Sequence, residues 1–382
     1  MTTKKKDPVL VVVQLSGGLD FMNTLIPYTD GRIYDWRPTV SVAAESTISL
    51  DDRLAWHPSA QALSELYDAG NVAAIQGVGY ENASRSHFRA MDIMHTCEPE
   101  KVATEGWLGK VTRELDPNSE NPLTAVSIGR GLPRALVAPG VTATSVGNLD
   151  KFGLMTKIEQ VEERAANLDI FKRMYSPAVG NGLVNDYLAQ TGRDILRGAD
   201  MLADVPSRYS SDVEYANNPI AQALRDVARI HTAGMGTRVF YTQHVGYDYH
   251  SLENEVHPRM LTELTEAISD FLTDIRNHDA SEEVTILVFT EFGRRIMDNG
   301  SGTDHGTGGG AYIIGDHVSG GLYAEYPSLD PKDWLYGEDL THTIDYRSIY
   351  TSILEQWMGM DAQPIVGGTY EQIRPYNTTM LV

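Results

Sequence analysis

Four short stretches of this 382-residue chain bring together side chains that can do chemistry. In Tyr247-Asp248-Tyr249-His250 a carboxylate and an imidazole stand two residues apart, so both project to one side of an extended backbone. Such a pair clamps Zn2+, Mn2+ or a similar ion, imidazole suiting borderline metals and carboxylate harder ones. Taken alone it reads more readily as a surface Asp-x-His turn. Thr303-Asp304-His305-Gly306-Thr307 repeats the combination inside the glycine-rich segment 300–310, and glycine there lets a backbone approach a ligand closely. The bland alternative is a flexible linker. In Phe289-Thr290-Glu291-Phe292-Gly293-Arg294-Arg295 an apolar strand delivers a carboxylate and then two guanidinium groups. Glu291 can ligate a metal and Arg294 can hold a phosphate or sulfate bidentately, or the two can form a structural ion pair. Last, Asn82-Ala83-Ser84-Arg85-Ser86-His87-Phe88-Arg89 lies at a helix start, where free N–H groups favour an anion. Ser86 or Ser84 is there a candidate metal-activated nucleophile with Arg85 beside it, although serine is also what an ordinary N-cap prefers. His87 and His244 adjoin these motifs; the remaining histidines have capping or surface explanations.

The elements that must position these groups alternate between strand and helix. Val9–Leu15 is a β-branched apolar run closed by Gly17-Gly18, the pattern of a central parallel strand, and Asp20 falls just beyond its end. A helix over His57–Ala69 stopped by Gly70, a strand over Val72–Gln76 and a helix from Ser84 or Ser86 follow. Further strands are expected over Thr124–Ile128, Arg238–Gln243, Val284–Thr290 and Ala311–Gly315, with helices over Pro258–Asn277 and Asp345–Met358. This predicts an α/β domain with a mostly parallel central sheet and helices on both faces. Residues 1–382 read as one domain, with a mostly helical insertion or cap over 149–232. Sites in such folds form outside the carboxyl ends of strands, where Asp20, Asp248, His250 and Glu291 all fall.

Composition narrows the partners. A net charge of −21 argues against nucleic acid, whose phosphates require clustered Lys and Arg. Cys97 is the single cysteine, so neither an intrachain disulfide nor a thiolate-only metal cage is available. The apolar run after Lys4-Lys5-Lys6 is short and interrupted by Gln14, unlike a signal peptide. No stretch approaches the roughly 20 apolar residues of a membrane span. Nothing in the sequence sets the oligomeric state.

Ser16-Gly17-Gly18-Leu19-Asp20 with Asn23-Thr24, Gln76-Gly77-Val78-Gly79-Tyr80, Ser84-Arg85-Ser86-His87-Phe88, Gly106-Trp107-Leu108-Gly109, Thr290 to Arg295, Gly302 to Gly306 and Asp345-Tyr346-Arg347-Ser348 together resemble an uncharacterised bacterial family, domain of unknown function 1501, of the alkaline-phosphatase-like superfamily. The resemblance covers nearly the whole chain. It implies an alkaline-phosphatase-like fold with one or two divalent ions (Zn, Mn, Mg or Ca) and a serine nucleophile, Ser86 or Ser84. Asp20 would be the first-strand ligand, Asp248, His250 and His305 one metal site, Glu291 part of the other, and Asp304 a ligand or the partner that orients His305. The implied function is metal-dependent hydrolysis of a phosphate or sulfate ester, with a small anionic or saccharide-ester substrate. A phosphomutase-type isomerase using the same site under a closing cap, or a non-catalytic binding or assembly protein, are the alternatives. The sequence departs from the superfamily at Glu291-Phe292, where an Asp-His pair is common; a phenyl ring thus replaces the imidazole of the second metal site. Many relatives carry a twin-arginine export signal, which implies the periplasm or exterior, and the absence of one here leaves the cytoplasm as the other compartment.

Overall fold

Val9–Ser16 (β1) is buried along nearly its full length, and in the computed structural model it lies inside a nine-stranded sheet. The structure describes residues 6–152, 160–174, 194 and 196–377. The sheet also contains Val72–Gly79 (β2), Ala125–Ile128 (β3), Thr144–Val146 (β4), Val239–Val245 (β5), Val284–Thr290 (β6), Gly309–Ile314 (β7), Gly321–Tyr323 (β8) and Ile344–Asp345 (β9). Their order is β8-β2-β7-β6-β1-β5-β3-β4, with β9 beside β2. Every ladder is parallel except those of β7, which runs antiparallel to β2 and β6. A parallel return needs a crossover, usually helical; no helix lies between β6 and β7, so the chain returns antiparallel.

Because successive side chains of a strand face opposite sides, β1 feeds two cores. Val9, Val11, Val13 and Leu15 pack in the core that includes residues of Gln61–Asp68 (α1), Pro219–Thr232 (α4) and Glu253–Asn277 (α5). Leu10 and Val12 join the core built with His87–Thr96 (α2), Trp107–Leu115 (α3) and Tyr346–Ser352 (α6). Helices therefore cover both faces, as expected. Of the stretch 149–232, the described part includes helices over Val161–Met174 and Val205–Arg208 and α4, which packs against α5 and β5. Residues 153–159 and 175–193 lie outside the described residues.

Two boundaries differ from expectation for tertiary reasons. The sequence starts α5 at Pro258, but the helix begins at Glu253 and carries Pro258 inside it. Leu252 takes a left-handed φ of 57°, and its N–H and that of Glu253 donate to Ser301 Oγ and Ser301 O, both at 3.1 Å. A distant loop thus caps the extra turn. At the other end of the chain, the helix expected as one unit over Asp345–Met358 changes after Ser352 to a π-helical turn, Ile353–Met358.

What positions the site is register. Leu15 pairs with Thr290 and Ser16 with Val245, so β1, β5 and β6 end level with one another. Gly17, the Gly246–Asp248 loop and Glu291 consequently emerge at one edge. Among the described residues, no helix is long and apolar enough to cross a membrane.

Candidate metal centre

Gly17 has φ +126°, and a Cβ there would overlap the Tyr247–Asp248 peptide. Glycine at this position is what lets the β5 loop lie across the end of β1. Gly302 plays the same part against the Tyr249 carbonyl. The three loops are then tied by Arg294, which is 1% exposed. Its Nε donates to Gly18 O at 2.9 Å, Nη1 to Thr303 O at 2.8 Å, and Nη2 to Tyr247 O at 2.7 Å and Asp248 Oδ1 at 2.9 Å. A guanidinium so engaged is a clamp for the loops, and it has no free face for a substrate anion.

Beyond β6 the chain folds back on itself: Arg295 N donates to Asp304 O at 3.0 Å and Gly306 N to Gly293 O at 2.8 Å. This pairing delivers His305. Its Nδ1 lies 2.9 Å from Arg85 O, and since a carbonyl only accepts, Nδ1 carries the proton and Nε2 presents a lone pair. His250 is oriented in the same sense, with Nδ1 3.0 Å from Asp304 Oδ1. Asp304 thus faces His250 and not its neighbour His305. It is also held by Asn299 Nδ2 at 3.2 Å. The hydrogen bond to His250 is the largest influence holding the Asp304 carboxyl below its ordinary pKa, so it stays an acceptor.

The result is a convergence of three atoms. His250 Nε2 and His305 Nε2 are 2.9 Å apart, and Asp248 Oδ1 lies 3.2 Å from the first and 3.0 Å from the second. Burial disfavours the Asp248 carboxylate, but the hydrogen bond and the charge of Arg294 act against it, and the pKa is held down to about 2. With both Nδ1 atoms protonated, two nitrogen lone pairs and a carboxylate oxygen point at one small volume. A single proton can bridge only one of these contacts; a divalent cation satisfies all three. Ligands at about 2.0–2.1 Å from a tetrahedral ion lie about 3.3 Å from one another, close to the spacing seen. Two imidazoles and one carboxylate suit zinc or a similar borderline ion, and the partners at both Nδ1 atoms are the usual supports of such ligands.

His87, the first residue of α2, extends the cluster. Its Nε2 is 3.4 Å from Asp248 Oδ2 and its Nδ1 3.0 Å from Glu291 Oε1. The Glu291 hydrogen bond raises its pKa against the cost of burial. Glu291 itself is 3% exposed and also accepts from Gly17 N at 2.8 Å. His87, Asp248 and His305 each offer a ligand atom within 4.8 Å of one another. The phenyl ring of Phe292 lies tilted against both His87 and His305, with centroids 5.0 and 4.7 Å away. His87 supplies an imidazole beside Glu291 that the sequence pattern at Glu291-Phe292 lacks. Its place directly after Ser86 was the available signal.

The remaining expected residues are placed as follows. Ser86 is exposed at the N-cap of α2, and its hydroxyl caps nothing. It lies between Arg85, whose carbonyl receives His305, and His87. Ser84 Oγ accepts from Ser86 N at 3.2 Å. Arg85 pairs with Asp339 at 2.9 Å and Glu338 at 3.2 Å. Asp20 is not brought to the cluster: fully buried, it pairs with Arg37 and accepts from Met22 N and Asn23 N. His95 and His257, expected at caps or the surface, are 5% and 2% exposed and sit in polar networks inside the fold.

Fold and site together describe an α/β protein with a candidate two-imidazole, one-carboxylate metal centre at the carboxyl edge of its sheet. The chain belongs to the family described as protein of unknown function (DUF1501), whose profile matches residues 7–367. A comparison with curated proteins returned no match. Among solved structures, it is similar to a protein in the alkaline phosphatase superfamily from Vibrio parahaemolyticus, at 10% identity and TM-score 0.42 over 96% of this chain and 70% of that one. It is similar also to the PsFucS1 sulfatase from Pseudoalteromonas sp., at 10% identity and TM-score 0.43 over 96% and 71%. A third is the C-terminal periplasmic domain of EcEptC from Escherichia coli, at 7% identity and TM-score 0.40 over 81% and 74%.

Proposed function

We propose that this chain is a metal-dependent hydrolase of phosphate or sulfate esters. The observation that carries the proposal is the meeting of His250 Nε2, His305 Nε2 and Asp248 Oδ1 within 3.2 Å, each held from behind so that a lone pair faces inward. His250, His305 and Asp248 would hold a divalent ion there, which would supply Lewis acidity toward an ester oxygen and toward the attacking hydroxyl. Ser86 offers that hydroxyl next to His87, uncommitted to capping. The helix α2 starts immediately after it, so first-turn N–H groups face the transferring group, where partial positive charge stabilises an anion.

One feature favours a second reading, a metal-binding protein without turnover. The cations that would stabilise a transferring group are committed elsewhere: Arg294 to loop carbonyls, Arg85 to Asp339 and Glu338, and Arg89 to Asp92 at 2.7 Å and the Pro99 carbonyl at 2.6 Å.

Elemental analysis of wild type beside His250→Ala and His305→Ala, coupled to hydrolysis of generic aryl phosphates and sulfates by wild type and Ser86→Ala, tests both. The expected outcome is about one tightly bound divalent ion per chain, lost in the histidine variants, with turnover that chelation and Ser86→Ala each abolish. A wild-type chain that stays metal-free after loading sinks both readings. Bound metal with no turnover, and no effect of Ser86→Ala, leaves the second.

A further inference from the structure

Against the His87–Glu291 edge of the metal centre lies a cavity of about 540 Å3, a size typical of small-molecule sites. Its floor is the end of β1, and its wall is the start of α2.

The floor has a fixed polarity. Gln14 is a polar side chain buried in a parallel strand, and such a group needs partners. The Tyr241 hydroxyl donates to Gln14 Oε1, and His95 Nε2 lies 3.0 Å from the same oxygen. Burial pushes the His95 pKa down to about 4 and keeps the ring neutral; because an amide oxygen only accepts, the proton sits on Nε2, the second donor. With Oε1 taken by these two donors and reached also by Gln243 Nε2 at 3.5 Å, the amide has one orientation. Its Nε2 points to Ser16 Oγ at 2.7 Å. A hydroxyl that accepts there still owns its proton, and among the described residues no acceptor takes it. Ser16 therefore presents a directed donor to the cavity.

The wall is apolar. Phe88, in the first turn of α2, is 91% exposed and lines the cavity with Met91. The charges at the mouth are already engaged in ion pairs: Asp92 is shared by Arg134 at 2.8 Å and Arg89 at 2.7 Å, and Glu291 is held by His87. The lining offers no unpaired cation for a second anion.

We propose that this cavity is the subsite for an uncharged, ring-bearing alcohol, the organic part of the ester, which lays its flat face on Phe88 and sets an oxygen acceptor on the Ser16 hydroxyl. The assignment rests on the ester reading above, because His87 and Glu291 border both the cavity and the metal centre. It makes Phe88 and Ser16 specificity-determining residues.

The test needs no turnover. 4-Methoxyphenol, its near-isostere 4-ethylphenol and the anionic 4-hydroxybenzoate are titrated by ligand-observed NMR into the full chain as wild type, Phe88→Ala and Ser16→Ala. Wild type is expected to bind 4-methoxyphenol with a Kd on the order of millimolar and 4-hydroxybenzoate at least about tenfold more weakly. Phe88→Ala, which removes an exposed ring and endangers no packing, weakens both neutral rings about three- to tenfold. Ser16→Ala abolishes the preference for 4-methoxyphenol over 4-ethylphenol. Neutral-ring binding that ignores Phe88→Ala, or 4-hydroxybenzoate binding as tightly as 4-methoxyphenol, overturns the proposal. The ester reading is judged separately: metal-dependent turnover without ring binding strikes only the subsite, whereas ring binding without turnover strikes only the hydrolase.

Discussion

Two clusters of carboxylate and imidazole flank the same loops, and they have opposite characters. On the inner side, Asp20 meets Arg37, while Asn23 and Thr303 donate to Glu253 at 3.1 and 2.7 Å, and His257 reaches the Tyr249 hydroxyl at 3.1 Å. Arg37 and Asp20 are fully buried. Burial alone would raise the Asp20 pKa, but the Arg37 charge and a hydrogen bond from Glu253 hold it well below the usual carboxylate range. On the outer side, Asp248, His250 and Asp304 are open to solvent, and three lone pairs converge without an internal cation to satisfy them all. The inner cluster closes its own electrostatics and so reads as scaffold. The outer one is incomplete and so reads as a site. Tyr249 and Arg294 separate them, the guanidinium lying 5.5 Å over the Tyr249 ring.

The largest expected effect breaks the inner cluster. Asp20→Ala leaves the Arg37 guanidinium buried without its main partner, and breaking a buried pair costs about 3–5 kcal/mol. Glu253 can release its proton to replace the lost charge, which sets the expectation at the lower end, about 3 kcal/mol, in chemical denaturation. Metal content of the folded protein should not change. Should Asp20→Ala instead strip the ion while sparing stability, the division between scaffold and site is wrong and Asp20 is a ligand after all.

Asp304→Asn sharpens the outer cluster. The amide keeps the size of the side chain and removes the charge that orients His250, and loss of such a supporting partner lowers metal affinity about 10–100-fold. Because the group is exposed, the metal-free protein should lose under about 1 kcal/mol. Competition titration with a chelating dye measures the first and denaturation in chelator the second. An unchanged affinity would remove Asp304 from the centre.

The contrast also explains what could be read from the sequence. Val9–Leu15 and Val284–Thr290 announced themselves because strands buried on both faces are continuous apolar runs, and the level ends of neighbouring strands put Asp248 and Glu291 near one another, whereas His305 is delivered by the fold-back beyond β6. The short edge strands β4, β8 and β9 carry no such pattern. Asp20 turns away from the outer cluster because proximity to a strand end does not fix which way a carboxylate points; Arg37, seventeen residues on, decides that. His87 stayed ambiguous because a lone imidazole in a helix's first turn looks like any other until Glu291 and Asp248 are seen across from it. Glu253 and His257 were invisible, since only tertiary structure buries the helix turn that bears them.

The smallest effect is a slope with pH, and it belongs to the inner cluster. Burial first, and then the neighbouring Asp20 charge, raise the Glu253 pKa above its ordinary 4.5, Arg37 opposing. Folded Glu253 therefore holds a proton that the unfolded chain releases; its contribution is complete below pH 4.5 and is lost as pH rises through the raised value. The buried histidines here act in reverse. Burial lowers His257 to about 4 and His57 to about 3 from 6.5, so the unfolded chain binds their protons first and stability falls as pH drops below 6.5. Above about pH 7 the contribution of these two histidines is saturated, and Glu253 imposes a decline of at most about 1.4 kcal/mol per pH unit, to which His87 and His278, raised by their hydrogen bonds to Glu291 and to the Asp274 backbone, add in the same direction. Tyr249, the remaining titratable neighbour, is pushed well above its ordinary value by burial and stays neutral there. Denaturation of metal-free protein between pH 6 and 9 should show the decline in wild type and a flatter profile in Glu253→Gln, with the acid limb retained in both. A wild-type profile already flat above pH 7 would mean that Glu253 is ionised in the fold and that the inner cluster carries two carboxylates on one Arg37, an imbalance that would make it resemble the outer cluster.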